Sequence, residues 1–163
     1  MDGNFYGDVE LQRAGWCFSV GLLPAESKDG RTGYVDRNGE FAFLVPIINE
    51  GNEDLCATNF NNGYALIQTT IDPPIWRVIN NKGEFLSDEL NFLSAKEFSD
   101  GLSLIKTMDN CYGYICPNGD FAIDPVFNEA DSFFQGYARI KYQGRDGIIN
   151  TAGKIFWSDD LAK

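Results

Sequence analysis

The 163-residue sequence predicts an all-β chain of about four repeated antiparallel β-hairpin units, stacked as an open twisted sheet or solenoid. Closure into a small propeller or barrel is the alternative. Three observations carry the prediction. Two different glycine motifs alternate along the chain at one shared period. The segments between them are short and rich in β-branched and aromatic residues. No stretch sustains a helical periodicity with caps. A composition of 44% hydrophobic and 23% charged residues suits one packed domain of this length.

The first motif is a turn between two short strands. Its copies are Gly33-Tyr34-Val35-Asp36-Arg37-Asn38-Gly39-Glu40-Phe41 and Arg77-Val78-Ile79-Asn80-Asn81-Lys82-Gly83-Glu84-Phe85. Two more follow, Gly113-Tyr114-Ile115-Cys116-Pro117-Asn118-Gly119-Asp120-Phe121 and Gly147-Ile148-Ile149-Asn150-Thr151-Ala152-Gly153-Lys154-Ile155. The turn glycines Gly39, Gly83, Gly119 and Gly153 recur 44, 36 and 34 residues apart. Each supplies a left-handed backbone residue to a three-to-four-residue loop with a bulge.

The second motif falls between copies of the first: Phe60-Asn61-Asn62-Gly63-Tyr64-Ala65-Leu66-Ile67, Phe98-Ser99-Asp100-Gly101-Leu102-Ser103-Leu104-Ile105 and Phe133-Phe134-Gln135-Gly136-Tyr137-Ala138-Arg139-Ile140. Its glycines stand 38 and 35 residues apart, and Gly15-Trp16-Cys17-Phe18-Ser19-Val20 reads as a degenerate earlier copy. The strands that follow alternate between an inward and a wet face. Units of about 12–48, 49–89, 90–127 and 128–156 result, within one domain. Between Leu90 and Phe98 there is room for a helical turn or two. The charged ends, residues 2–10 and 158–163, are candidates to protect the edge strands.

The pattern G-Y-[VI]-[DN]-x-x-G-[EDK], followed at a distance by F-x-x-G-[YL]-[AS]-x-[IV], resembles the bacterial WG (or KWG) repeat over roughly residues 12–156. The signature Trp-Gly dipeptide is replaced by Thr32-Gly33, Trp76-Arg77, Tyr112-Gly113 and Asp146-Gly147, so regular packing is least expected in the second unit. The resemblance implies repeated β-hairpins and a binding or scaffolding role, with no catalytic residues and no cofactor.

Charge and residue usage exclude whole classes of chemistry. The net charge of −11 disfavours nucleic acid and anionic membranes, whose phosphates need a basic face. No histidine is present, which removes Ser-His-Asp and Cys-His nucleophiles and every His-containing metal site. No secretory signal is recognisable, so a cytoplasmic location with Cys17, Cys56, Cys111 and Cys116 reduced is expected. Asp36-Arg37-Asn38-Gly39-Glu40 looks like the start of a calcium loop. It lacks the later ligands, because apolar strand follows, and hairpin-turn chemistry is the better reading.

The acids are unevenly spread. Residues 84–131 hold ten of them against Lys96 and Lys106. This region is the candidate partner-binding surface, through Glu84, Asp88, Glu89, Asp100, Asp109, Asp120, Asp124, Glu129 and Asp131. Tyr112, with Phe127, Phe134 and Tyr137, is a candidate aromatic anchor. The expected function is a non-catalytic protein-binding module for a basic protein, in concrete form an immunity protein that blocks a basic toxin or nuclease. One alternative is a carbohydrate- or cell-wall-binding repeat using Trp16, Trp76 and Trp157. A less favoured one is a carboxylate glycoside hydrolase built on pairs such as Asp88-Glu89 or Asp124 with Glu129.

Overall fold

The structure, a computed structural model, describes residues 9–15, 17–48 and 55–161. It is all-β apart from one short helical turn, and its strands form four separate antiparallel sheets, none closed into a barrel. The first sheet is β1 (Leu11–Ala14), β2 (Leu23–Ser27), β3 (Thr32–Val35) and β4 (Phe41–Leu44), in that order. The second is β5 (Tyr64–Thr70), β6 (Ile75–Asn80) and β7 (Leu90–Asn91), extended by single bridges from Ala57 to Ile67 and from Ile79 to Phe85. The third holds β8 (Ser94–Ala95), β9 (Ser103–Lys106), β10 (Tyr112–Ile115) and β11 (Phe121–Phe127). The fourth holds β12 (Glu129–Ala130), β13 (Tyr137–Tyr142), β14 (Arg145–Asn150) and β15 (Ile155–Trp157), and α1 (Ser158–Leu161) follows it.

Both glycine motifs are turns, of two kinds. At the second motif, two successive residues take positive φ: Val20 and Gly21, Asn62 and Gly63, Asp100 and Gly101, Gln135 and Gly136. Reciprocal backbone hydrogen bonds close the pairs Ser19–Leu22, Asn61–Tyr64, Ser99–Leu102 and Phe134–Tyr137. This is the I′ geometry, whose twist matches that of the flanking strands. The earliest copy is therefore Phe18-Ser19-Val20-Gly21, a few residues later than Gly15–Val20 suggests. The first motif closes differently. The amide of Asp36, Asn80, Cys116 or Asn150 donates to the carbonyl four residues on, and the turn glycine donates back, which leaves a bulge at the glycine.

Two periodicities then decide what is buried. Along each second strand, Pro24, Leu66, Leu104 and Arg139 lie directly opposite Tyr34, Val78, Tyr114 and Ile148 on the third strand. These positions form one face, here the leading face. The neighbouring register positions, Leu23–Val35, Ala65–Ile79, Ser103–Ile115 and Ala138–Ile149, form the trailing face. The leading face of each of the first three sheets packs on the trailing face of the next. Tyr34 and Phe43 meet Phe60, Ala65, Ile67 and Ile79. Leu66 and Val78 meet Phe98, Ile105 and Ile115. Leu104 and Tyr114 meet Phe133, Ala138, Ile140 and Ile149. Among the described residues no core cluster joins the first sheet to the fourth, so the stack is open.

The segment from Leu90 to Phe98 is two short strands, not a helical turn. Phe92, Ala95 and Phe98 recur every third residue as on a helix. They are all buried because the chain crosses from the second sheet to the third around one shared core.

The glycine of the half-signature has a steric reason. A Cβ on Gly33 would stand 2.3 Å from the Phe43 carbonyl oxygen, and one on Gly113 would stand 2.7 Å from the Pro125 Cα. The fourth strand passes directly across the third there, and only glycine permits it. In the second unit this position is Arg77, and the fourth strand breaks up. It touches β6 at the Phe85 bridge, Ser87 Oγ accepts from the Val78 amide at 2.9 Å, and pairing resumes only at β7. The Arg77 guanidinium stacks on the Phe85 ring, 3.8 Å from its centroid.

Two substitutions test this account by thermal unfolding. Val20 is a β-branched residue at φ 47°, 63% exposed, where the second copy has Asn62. Val20→Asn should stabilise the fold by about 1 kcal/mol through relief of backbone strain, or ~2–4 °C in Tm. Gly113→Ala should destabilise it by about 1–3 kcal/mol through the clash with the fourth strand.

Candidate functional site

The topology spreads the ten candidate residues over several parts of the stack. Asp109 lies in the loop joining β9 to β10. Asp100 and Asp120 lie in turns at the opposite end of those strands, roughly 13 Å away at ~3.3 Å per strand residue. Glu129 starts β12 and pairs with Lys141 at 3.5 Å, and Asp131 follows that strand. Tyr112 is half-buried against the third core, with the Lys106 ammonium 5.2 Å from its ring centre. All nine acids are exposed, but residues 84–131 do not form one continuous acidic surface.

Part of the set does come together. The turn glycine of each unit packs on the fourth strand of the unit before. Gly83 approaches Phe43, and a Cβ on Gly119 would meet Ser87 at 2.9 Å and Leu90 at 3.2 Å. This second contact brings the turn that carries Asp120 against the segment Ser87–Leu90, which carries Asp88 and Glu89. Phe92 and Phe121 meet edge to face, their centroids 6.0 Å apart, and hold the start of β11 against the same segment. Glu84 lies at the head of this edge and Asp124 further along β11. Among these acids Phe85, Leu86, Leu93 and Phe121 are exposed, by 37–46%. The result is an acidic ridge studded with large apolar side chains, along the fourth-strand edge of the second and third sheets.

Other candidates have structural duties. The Asp100 carboxylate accepts from the Gly136 amide at 2.7 Å and ties the I′ turn of the third unit to that of the fourth. The residue that opens this turn also reaches the next unit. Ser19 Oγ donates to the Phe60 carbonyl, and Ser99 Oγ donates to that of Phe133. Phe127 is buried in the third core and offers no anchor, whereas Phe134 and Tyr137 are 74% and 52% exposed. Trp76 is buried in the core between the second and third sheets, so no sugar can stack on it. Trp157 is half-buried, with the Arg145 guanidinium 4.5 Å from its ring centre. Trp16 lies outside the described residues.

The phenols of Tyr34 and Tyr114 donate to the carbonyls of Thr58 at 2.7 Å and Asp131 at 2.8 Å. Burial, with the nearby charges of Glu97 and Asp131 respectively, pushes both pKa values far above the ordinary phenol range. They stay protonated as inter-unit hydrogen-bond donors. Cys17, Cys111 and Cys116 are free thiols, and among the described residues no three His, Cys, Asp or Glu side chains converge as a metal site would need. No helix among the described residues is long and apolar enough to cross a membrane.

Residues 112–145 match the WG containing repeat. The matched segment starts at Tyr112-Gly113 on β10 and ends at the start of β14, so a WG repeat in sequence is offset by half a unit from a sheet. It spans both sides of one interface, with Tyr114 and Phe127 from the third sheet and Phe133, Ala138 and Ile140 from the fourth. In this chain the matched segment is thus a unit of stacking. No curated protein matches the chain.

Asp36, at the calcium-loop lookalike, uses its carboxylate on its own turn. Oδ1 accepts from the amides of Asn38 at 2.8 Å and Glu40 at 3.2 Å, which holds the carboxyl below its usual range. A pKa lowered by folding stabilises the fold above the unfolded value of about 4 and stops doing so as pH falls through the folded value. Asn80 and Asn150 make the same two contacts with an amide oxygen. Asp36→Asn should therefore leave Tm near pH 7 almost unchanged and reduce its fall between about pH 4 and 2. Parallel melts across that range check it.

Proposed function

We propose that this chain is a non-catalytic protein-binding module that docks a basic protein on the acidic ridge along the fourth-strand edges of its second and third sheets. The observation that carries the reading is the mixture on that ridge: exposed Phe85, Leu86, Leu93 and Phe121 lie among Glu84, Asp88, Glu89, Asp120 and Asp124. A solubilising surface needs the charges alone. Large apolar side chains within a charged rim are what a specific interface needs, because desolvated aromatic and aliphatic anchors supply affinity while the rim supplies steering. In its concrete form this is an immunity protein. The ridge carboxylates would pair with the Lys and Arg side chains by which a toxic nuclease holds phosphates, and so occlude its active site.

The absence of histidine removes the commonest general acid–base group, and binding alone accounts for the reading. Asp109, on the loop at the other end of the strands, belongs outside the contact.

The test is affinity capture from native cytosol at low and high salt, followed by association kinetics with the captured protein. The triple variant Glu84→Lys/Asp120→Lys/Asp124→Lys should slow association about tenfold or more and flatten its salt dependence, with the dissociation rate less affected. Asp109→Lys should change the rate less than about twofold. Leu86→Ala and Phe121→Ala should speed dissociation. A triple variant that associates as fast as the parent would remove the acidic ridge from the interface.

A further inference from the structure

The fourth sheet ends the described stack, and its leading face differs from the other three in a consistent way. The positions that pack on a following sheet in earlier units lie open here. Tyr137 stands where Tyr64 and Leu102 stand, and is 52% exposed. Ile148 stands where Tyr34, Val78 and Tyr114 are buried, and is 39% exposed. Phe156, opposite Ile148, takes the place of Phe43 and Ile123, and its ring meets Tyr137 edge to face at 6.4 Å. Phe134, 74% exposed, replaces Ser19 and Ser99, whose hydroxyls bond the next unit.

One position changes character. Arg139 occupies the site of Leu66 and Leu104, in the middle of the face and directly opposite Ile148. Two shallow grooves, of about 180 and 200 Å³, adjoin here and share Arg139, Asp146 and Gly147, with Asp131 lining the first. Among the described residues Arg139, Asp131 and Asp146 form no ion pair, although Lys141 nearby is engaged with Glu129. The face thus presents an unpaired cation between unpaired carboxylates, set in aromatic and aliphatic side chains.

This charge pattern discriminates between occupants. The trailing faces of this chain carry Phe60, Ala65, Ile67 and Ile79, or Phe98, Ile105 and Ile115. A further unit of that kind would bury Arg139 and the flanking carboxylates of Asp131 and Asp146 against hydrocarbon, with no charged partner on the covering face, which is strongly unfavourable. The same face turned on itself about a twofold axis supplies what Arg139 lacks. In that arrangement Arg139 of each copy would meet Asp146 or Asp131 of the other, and the rings of Tyr137 and Phe156 would be covered in the same step. We propose that the leading face of the fourth sheet is a self-complementary surface through which two copies of this chain associate, leading face to leading face. This surface is separate from the acidic ridge, so the dimer leaves the ridge free.

Sedimentation of the full chain from about 1 to 500 μM at low salt tests the proposal, with circular dichroism on each variant to establish folding. The parent should pass from monomer to dimer across this range. Arg139→Glu and Asp146→Arg should each raise the dissociation constant about tenfold or more, because each sets like charges together across the axis. The double variant Arg139→Glu/Asp146→Arg should recover association to within about threefold of the parent. Phe156→Glu should also weaken the dimer. A parent that stays monomeric throughout overturns the proposal and leaves the face as a polar end cap, and so do folded single charge variants that associate like the parent. A double variant as weak as the singles overturns the Arg139–Asp146 contact on which the proposal stands.

Discussion

Every other feature of this fold depends on the packing of one sheet's leading face onto the next sheet's trailing face. Strands of two to seven residues cannot bury both of their faces within one sheet, since alternate side chains point to opposite sides. Tyr34 and Tyr114 show how the contact works. Each buries its ring between two sheets and places its hydroxyl on a carbonyl of the following unit. Apolar burial supplies most of the adhesion. The hydrogen bond fixes the position, because a phenol buried without an acceptor would be costly.

The close pass of the fourth strand over the third is the second constraint, and the second unit shows its consequence. With Gly33 the fourth strand continues in register past the bulge, and with Gly113 it stays paired through a second register shift between Tyr112 and Tyr114. With Arg77 it separates into a bridge, a side-chain contact through Ser87, and a short returning strand. That departure leaves Phe85 and Leu86 on the surface beside Asp88 and Glu89, where the next unit's turn adds Asp120. The proposed ridge therefore follows from one residue that the repeat pattern does not favour. Local irregularity within an otherwise regular array is where a repeat protein can acquire a specific surface.

Legibility in the sequence was uneven, for identifiable reasons. The turns were readable because glycine at positive φ leaves a local trace that needs no partner. Phe92, Ala95 and Phe98 were misleading because a chain crossing between two sheets imitates helical spacing. The acids of residues 84–131 are close along the chain but not in space, since each short strand carries its neighbours to opposite ends of a sheet. Phe85 and Phe121 sit at motif positions that suggest core. Their exposure follows from lying on edge strands, which no local pattern reveals.

The all-β class, the four repeats, the turn positions in all but the earliest copy and the absence of histidine chemistry follow from the amino-acid sequence. These are properties of composition and of residues within about ten positions of one another. The tertiary structure alone decided that the repeats form four separate sheets with a leading and a trailing face. It also decided that Trp76 and Phe127 are core, that Asp100 is a tie between units, and that Arg139 stands on an open face. Those outcomes depend on which sheet lies against which, and the hydrogen bonds between sheets join residues from 17 positions apart, as Tyr114 and Asp131, to 41, as Ser19 and Phe60.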